Sequence, residues 1–261
     1  MRFLLSLIFL FISTQSFAVT FEGKFIQGSF ILGKTDPASE VFIDKQKVKV
    51  TSEGMFAFGL ARDRKNDVVV KINKKQYVKK VLKRKYKIQR IDGLEEKKVT
   101  PPEEVYERIK KENKLIAKAR SVDSNLTYFS KKFIIPVEDA INTGVYGSQR
   151  ILNGKPKWPH YGLDFAADEG TKIKAMLDGM VTLAETDLFY TGGTLIFDHG
   201  HGISTLYMHM EKIMVKKGQK VKQGEIIGTV GSTGRATGAH LDVRLNWFDV
   251  RLDPATVLDI K

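Results

Sequence analysis

Gly238-Ala239-His240-Leu241-Asp242-Val243-Arg244 reads as a strand entered from a flexible, Gly- and Thr-rich loop, residues 229–238. Alternate side chains of a strand share a face, so His240 and Asp242 point one way while Leu241 and Val243 point into a core. The imidazole and the carboxylate then stand about 7 Å apart, beside a loop. Such a pair either hydrogen-bonds on a surface or closes around a metal or a reacting group, and the rest of the chain has to choose.

The sequence around this stretch, from residue 133 onward, is built of short apolar runs closed by glycine turns. The runs lie at 163–166, 173–176, 180–184, 194–197, 203–210, 226–230 and 240–245, and the turns hold Gly170, Gly179, Gly192-Gly193, Gly218 and Gly224. Short strands with frequent glycines predict an antiparallel β core, a partly closed barrel or a sandwich. Asp253-Pro254 marks a tail with one helical turn.

Two further regions precede it. Over residues 19–91, alternating runs such as 41–43, 55–60 and 68–72 are separated by turns at 34–39, 44–47 and 52–54, which predicts a small antiparallel β-sandwich. Residues 92–132 form a linker. There Thr100-Pro101-Pro102-Glu103-Glu104 is a helix start, and Val105, Ile109, Ile116 and Ala119 recur near helical spacing, predicting an amphipathic helix over about 101–121. The expected organisation is therefore all-β with two domains, 19–91 and 133–261, joined by a helical linker.

Arg2, an apolar run to Ile12 and Ser16-Phe17-Ala18 predict a secretory signal over residues 1–18, removed before Val19. The mature protein is then exported to the periplasm, the cell envelope or the exterior. The chain has no cysteine, so thiolate metal sites and cysteine nucleophiles are excluded, and any metal must take His, Asp or Glu.

Charge is unevenly placed. Residues 19–132 carry 28 Lys and Arg against 15 Asp and Glu, whereas residues 133–261 carry 14 against 15. The basic excess, densest over 62–90, calls for an anionic neighbour such as an envelope polymer or lipid headgroups. Export argues against nucleic acid.

All five histidines fall between residues 160 and 240: His160, His199, His201, His209 and His240. His160 and Asp164 are four residues apart, about 13 Å on an extended chain, so sharing a metal requires a bend that Gly162 permits. His209 ends the alternating run 203–209, where it is expected to face with Thr205 and Tyr207. His160, Asp164, His209, His240 and Asp242 are of the right types for a zinc centre with neighbouring acid–base groups; zinc brings the pKa of a coordinated water to about 7.

His160-x-x-x-Asp164, Tyr207-x-His209 and Gly238-x-His240-x-Asp242 resemble, in order and spacing, the signature of the lysostaphin/LytM-type zinc metallopeptidases. The run 215–234 is similar to the segment that leads into that family's last motif. The resemblance spans about residues 133–258 and implies that the fold is of that type. It also implies that the substrate is peptidoglycan, cut in its peptide part by attack of metal-bound water. By it, His160 and Asp164 are zinc ligands and His209 and His240 the catalytic imidazoles. His199 is structural, and His201 is a loop histidine without a role.

One position departs from the pattern. The family's last motif is His-x-His, and its second histidine is the third ligand; here that position is Asp242. A carboxylate is itself a zinc ligand, at about 2.0–2.2 Å. Two of them leave a weaker Lewis acid and open the site to other divalent metals. The alternative is a non-catalytic regulator of the same fold that binds cell wall or activates another hydrolase. A lipoyl- or biotinyl-type carrier would suit the glycine spacing of 218–228, but no lysine sits convincingly at a hairpin tip.

Overall fold

A computed structural model describes residues 18–259; residues 1–17 of the expected leader lie outside the described residues. Among these, no helix is long and apolar enough to cross a membrane.

The chain opens with two antiparallel sheets. Thr20–Glu22, Phe30–Lys34 and Met55–Gly59 form the first, and Gln46–Val48, Val41–Ile43, Val68–Ile72 and Lys75–Lys79 the second. Two hairpins of the second sheet turn on Asp44 (φ 53°) and Asn73 (φ 52°), the residue types that tolerate the left-handed region in two-residue loops. Alternation does the rest: Ile31, Phe56 and Phe58 from one sheet and Val41, Ile43, Val68 and Val70 from the other are buried in one cluster.

That cluster continues without a break into the C-terminal region, reaching Phe133, Phe165, Val243 and Leu245. Residues Ile88–Ile91 also cross over, pairing in parallel with Gln149–Leu152, which in turn pairs with Lys155–Pro156. Parallel pairing between segments about sixty residues apart leaves no hairpin signature in the sequence.

The helix runs over Tyr106–Arg120, after a 3₁₀ turn at Glu103–Val105. Thr100 does not cap it; the residue before the helix is Val105, with no side-chain cap. Ala119, with Leu115 and Ile116 against it, packs on Leu183, Leu188, Ile196 and Leu206. Glu112 also accepts from the Phe189 backbone N–H at 2.8 Å. The helix is thus docked on the outer face of the C-terminal sheet.

That sheet has ten strands and remains open. Along its main path run Lys220–Val221, Gly179–Leu188, Gly192–Gly200, Ile203–Ile213, His240–Trp247, Leu163–Ala166 and Ile141–Gly144. All its pairings are antiparallel. Three neighbouring strands, Ile203–Ile213, His240–Trp247 and Leu163–Ala166, bring every motif of the sequence pattern together.

Candidate metal centre

Register places the two carboxylates. Asp164 lies directly opposite Asp242, and Ala166 opposite His240. Like charges directly opposite across a ladder are destabilising, so this pair needs cations around it. Leu241 and Val243 are fully buried, as the alternation requires, and Asp242 is 1% exposed on the other face.

His160 lies just before the strand Leu163–Ala166, not on it. The bend expected at Gly162 folds its ring back, with Nε2 3.2 Å from Asp164 Oδ1 and Nδ1 4.0 Å from Asp242 Oδ2. A Cβ on Gly162 would lie 2.2 Å from Asp242 Oδ1, and one on Gly144 would lie 2.1 Å from Asp164 Oδ2. Both carboxylates therefore occupy space that only glycine leaves open.

His160, Asp164 and Asp242 each offer one ligand atom, and these three atoms lie within 4.8 Å of one another. His160 Nδ1 and Nε2 and Asp164 Oδ1 are buried without a hydrogen-bond partner among the described residues. Buried polar atoms are rarely left so. The donor set suits a divalent cation: three convergent N and O ligands, two of them anionic.

Arginines hold both acids. Arg150 Nη2 donates to Asp164 Oδ2 at 3.0 Å, and Arg244 Nη2 donates to Asp242 Oδ2 at 2.9 Å. Burial by itself would raise the Asp242 pKa, but the Arg244 guanidinium, with His160 and His209 nearby, brings it well below the usual carboxylate range. Asp242 is thus ionised at neutral pH, as a ligand must be.

His209 reaches the site by breaking the strand pattern. Tyr207 pairs with Val243 and Met208 with Asp242, so parity alone would turn His209 to the core side with Tyr207. Thr205 and Tyr207 do point that way: Thr205 Oγ1 meets His199 Nε2 at 2.8 Å, and the Tyr207 hydroxyl accepts from Met176 N at 2.8 Å. His209 does not face with them. It takes φ +64°, a left-handed value uncommon for a bulky residue, beside a register shift in the strand. This turns its ring to within 4.8 Å of the His240 ring, centroid to centroid.

Backbone carbonyls set both tautomers. His209 Nδ1 lies 2.8 Å from Thr233 O, and His240 Nδ1 lies 2.8 Å from Gly238 O. A carbonyl only accepts, so each Nδ1 carries a proton, and in the neutral ring Nε2 keeps the lone pair. His240 Nε2 is 4.0 Å from Asp164 Oδ1. Burial, assisted by His240 and opposed by Asp242, brings the His209 pKa down to about 4.

A cleft of about 280 Å³ opens over these groups. His209, His240 and Arg235 line one side, and Ile91, Leu94 and Leu152 another. The Arg235 guanidinium stacks on Tyr190, 4.4 Å from the ring centroid. His199 and His201 stand apart. His199 is fully buried between Asp178 O and Thr205 Oγ1, and burial brings its pKa to about 4. His201 packs on Phe129.

Arg150, Arg235 and Arg244 did not emerge as candidates from the sequence. Arg244 was readable, since it shares its strand face with His240 and Asp242. Arg150 and Arg235 lie on segments with no periodic pattern.

The open antiparallel sheet thus carries a buried His-Asp-Asp cluster beneath two imidazoles whose Nδ1 atoms are held by backbone carbonyls. Residues 158–254 match the profile of Peptidase family M23, and the C-terminal region carries a peptidase domain of that family, of the lysostaphin/LytM type. Among curated proteins, the peptidoglycan DD-endopeptidase ShyA of Vibrio cholerae is 45% identical over 87 residues, 33% of this chain and 20% of that protein. The DD-carboxypeptidase/endopeptidase Mpg of Neisseria meningitidis is 42% identical over 89 residues, again 33% and 20%. The match thus spans about a fifth of each of these relatives. A crystal structure from Pseudomonas aeruginosa described as a candidate M23 peptidase superposes with a TM-score of 0.68 at 27% identity, covering 90% of this chain and 95% of that one. That likeness takes in the N-terminal sheets as well as the C-terminal one.

Proposed function

We propose that this protein is a metal-dependent endopeptidase that hydrolyses peptide bonds in the stems or cross-links of peptidoglycan. The observation that carries the reading is the buried His160-Asp164-Asp242 cluster, with unpartnered atoms turned inward, beneath two imidazoles of fixed tautomer. These three residues hold one divalent ion, zinc by its affinity for mixed imidazole and carboxylate ligands. When bound, the ion polarises a carbonyl and makes water nucleophilic at neutral pH.

The side chains supply the rest. His209 is neutral at pH 7, so its Nε2 accepts a proton as the base of the reaction. His240, on the open side of the pair, acts on the substrate oxygen that gains charge as the protonated ring, whose Nε2–H then donates to that oxygen. Arg150 holds the outer oxygen of Asp164 and so fixes that carboxylate's orientation. The cleft admits an extended peptide between the Ile91–Leu94–Leu152 wall and the histidines.

A second reading, a non-catalytic regulator that binds cell wall or activates another hydrolase, is favoured by one observation: Arg244 contacts both oxygens of Asp242. The deciding experiment measures metal content and peptidoglycan digestion together. About one zinc per chain and new muropeptide products, identified by mass, are expected. Absence of both after zinc addition would leave the regulator.

We also propose that the protein is exported to the periplasm, the cell envelope or the exterior after loss of residues 1–18. The basic residues of 62–90 then hold it to anionic envelope polymer or lipid. In the same reading, 19–91 and 133–261 are the two domains and 92–132 the linker.

A further inference from the structure

Arg244 stands two residues beyond Asp242 on the strand His240–Trp247, on the same face. Its guanidinium folds back along its own strand and takes the carboxylate by both oxygens, with Nη2 2.9 Å from Oδ2 and Nε 3.3 Å from Oδ1. The acid is enclosed, at 2% side-chain exposure, while the arginine keeps 23%. Gly162 makes room for the pair: a Cβ there would meet Asp242 Oδ1 at 2.2 Å and Arg244 Cγ at 3.0 Å. The grip on Asp164 is looser, since Arg150 takes Oδ2 and leaves Oδ1 toward His160.

A bidentate fork fixes a carboxylate's plane as well as its position. It also changes what a metal would experience. A carboxylate ligand adds a full negative charge and lowers the ion's Lewis acidity, whereas an imidazole adds none. A guanidinium bonded to that carboxylate returns the charge, and each oxygen retains a lone pair for the cation.

We propose that Asp242 and Arg244 act as one unit, an ion pair that stands in for a neutral third ligand. Arg244 is its positioning residue, setting the plane of Asp242 and offsetting its charge. The inference rests on the reading of His160, Asp164 and Asp242 as metal ligands.

The test measures zinc affinity by competition with a chromophoric chelator. It uses the unaltered protein, Arg244→Gln, Arg244→Lys, Asp242→His and the double variant Asp242→His/Arg244→Gln. Thermal unfolding of each zinc-free protein reports whether the fold is retained. Loss of a partner that orients a ligand costs about 10- to 100-fold in affinity, so Arg244→Gln is expected to weaken zinc by that factor. Arg244→Lys, which keeps the charge but not the fork, falls between. In the Asp242→His background the guanidinium only repels the cation, so Arg244→Gln there tightens zinc several-fold.

Equal weakening in both backgrounds would overturn the proposal, because Arg244 would then be a general structural residue. No change on the unaltered background would overturn it too. An unaltered protein that binds no zinc would remove the metal-centre reading itself. Zinc binding without peptidoglycan cleavage would count against the enzyme and leave the ion pair standing.

Discussion

Gly162→Ala separates the proposed metal centre from the fold more cleanly than removal of a proposed ligand. Gly162 does not occupy the left-handed region, so alanine meets no backbone strain there and the effect is contact alone. The new Cβ would lie 2.2 Å from Asp242 Oδ1 and 2.6 Å from Val243 O. Ordinary contact begins near 3.4 Å, so Asp242 has to retreat by roughly 1 Å, several times the ~0.2 Å tolerance of a metal–ligand distance. Val243 O is backbone of the same strand and cannot swing aside. The expected outcome is loss of the third ligand, with zinc affinity down about 100-fold or more. Overpacking should cost about 1–3 kcal/mol, and Tm should fall by about 2–12 °C. The assay is chelator competition alongside thermal unfolding of the zinc-free protein. Gly238→Ala is the control: its Cβ meets nothing within 4 Å, though it lies two residues from His240. Zinc affinity within twofold of the unaltered protein for Gly162→Ala, with the fold intact, would refute Asp242 as a ligand held at this position.

His209→Ala should retain bound zinc and lose about 10²- to 10⁴-fold in peptidoglycan cleavage, the range for removing a positioned acid–base group; loss of the metal with the activity would make His209 a ligand instead. Stability of the zinc-free protein should fall with acidification. The pKa values of His199 and His209 are depressed to about 4 in the folded state from an ordinary 6.5, so the unfolded chain binds more protons between those values. The stability they contribute is present above pH 6.5 and is lost as pH falls toward 4; a flat denaturation midpoint across that window would contradict it. Charge reversal at the exposed Lys74, Lys75 and Lys80 should weaken retention on isolated envelope at low salt, with the difference vanishing at high salt. Equal retention would place envelope binding elsewhere.

Much of the site followed from the two-residue strand period. Leu241 and Val243 inward with His240 and Asp242 outward is what the sequence stretch implies, and the strands 163–166 and 226–230 match their apolar runs residue for residue. The period misled at His209, where a left-handed φ reverses the facing of one side chain, and nothing in the residue types announces that reversal. The helix was legible from its apolar spacing, but its cap was not, because a 3₁₀ turn separates Thr100-Pro101-Pro102 from the first α turn. Arg150 came to Asp164 through tertiary packing, which no local pattern encodes.

The parallel pairing of Ile88–Ile91 with Gln149–Leu152 bears on how the protein is to be handled. Ile91 and Leu94 wall the cleft beside Leu152, so a recombinant fragment starting at residue 133 would contain every histidine yet lack most of one bank of the groove. It would also expose the backbone donors and acceptors of Gln149–Leu152 as a bare sheet edge, a template for a second chain. Such a fragment should self-associate, and its substrate preference should broaden, since what it lacks of that bank belongs to the region before the helix.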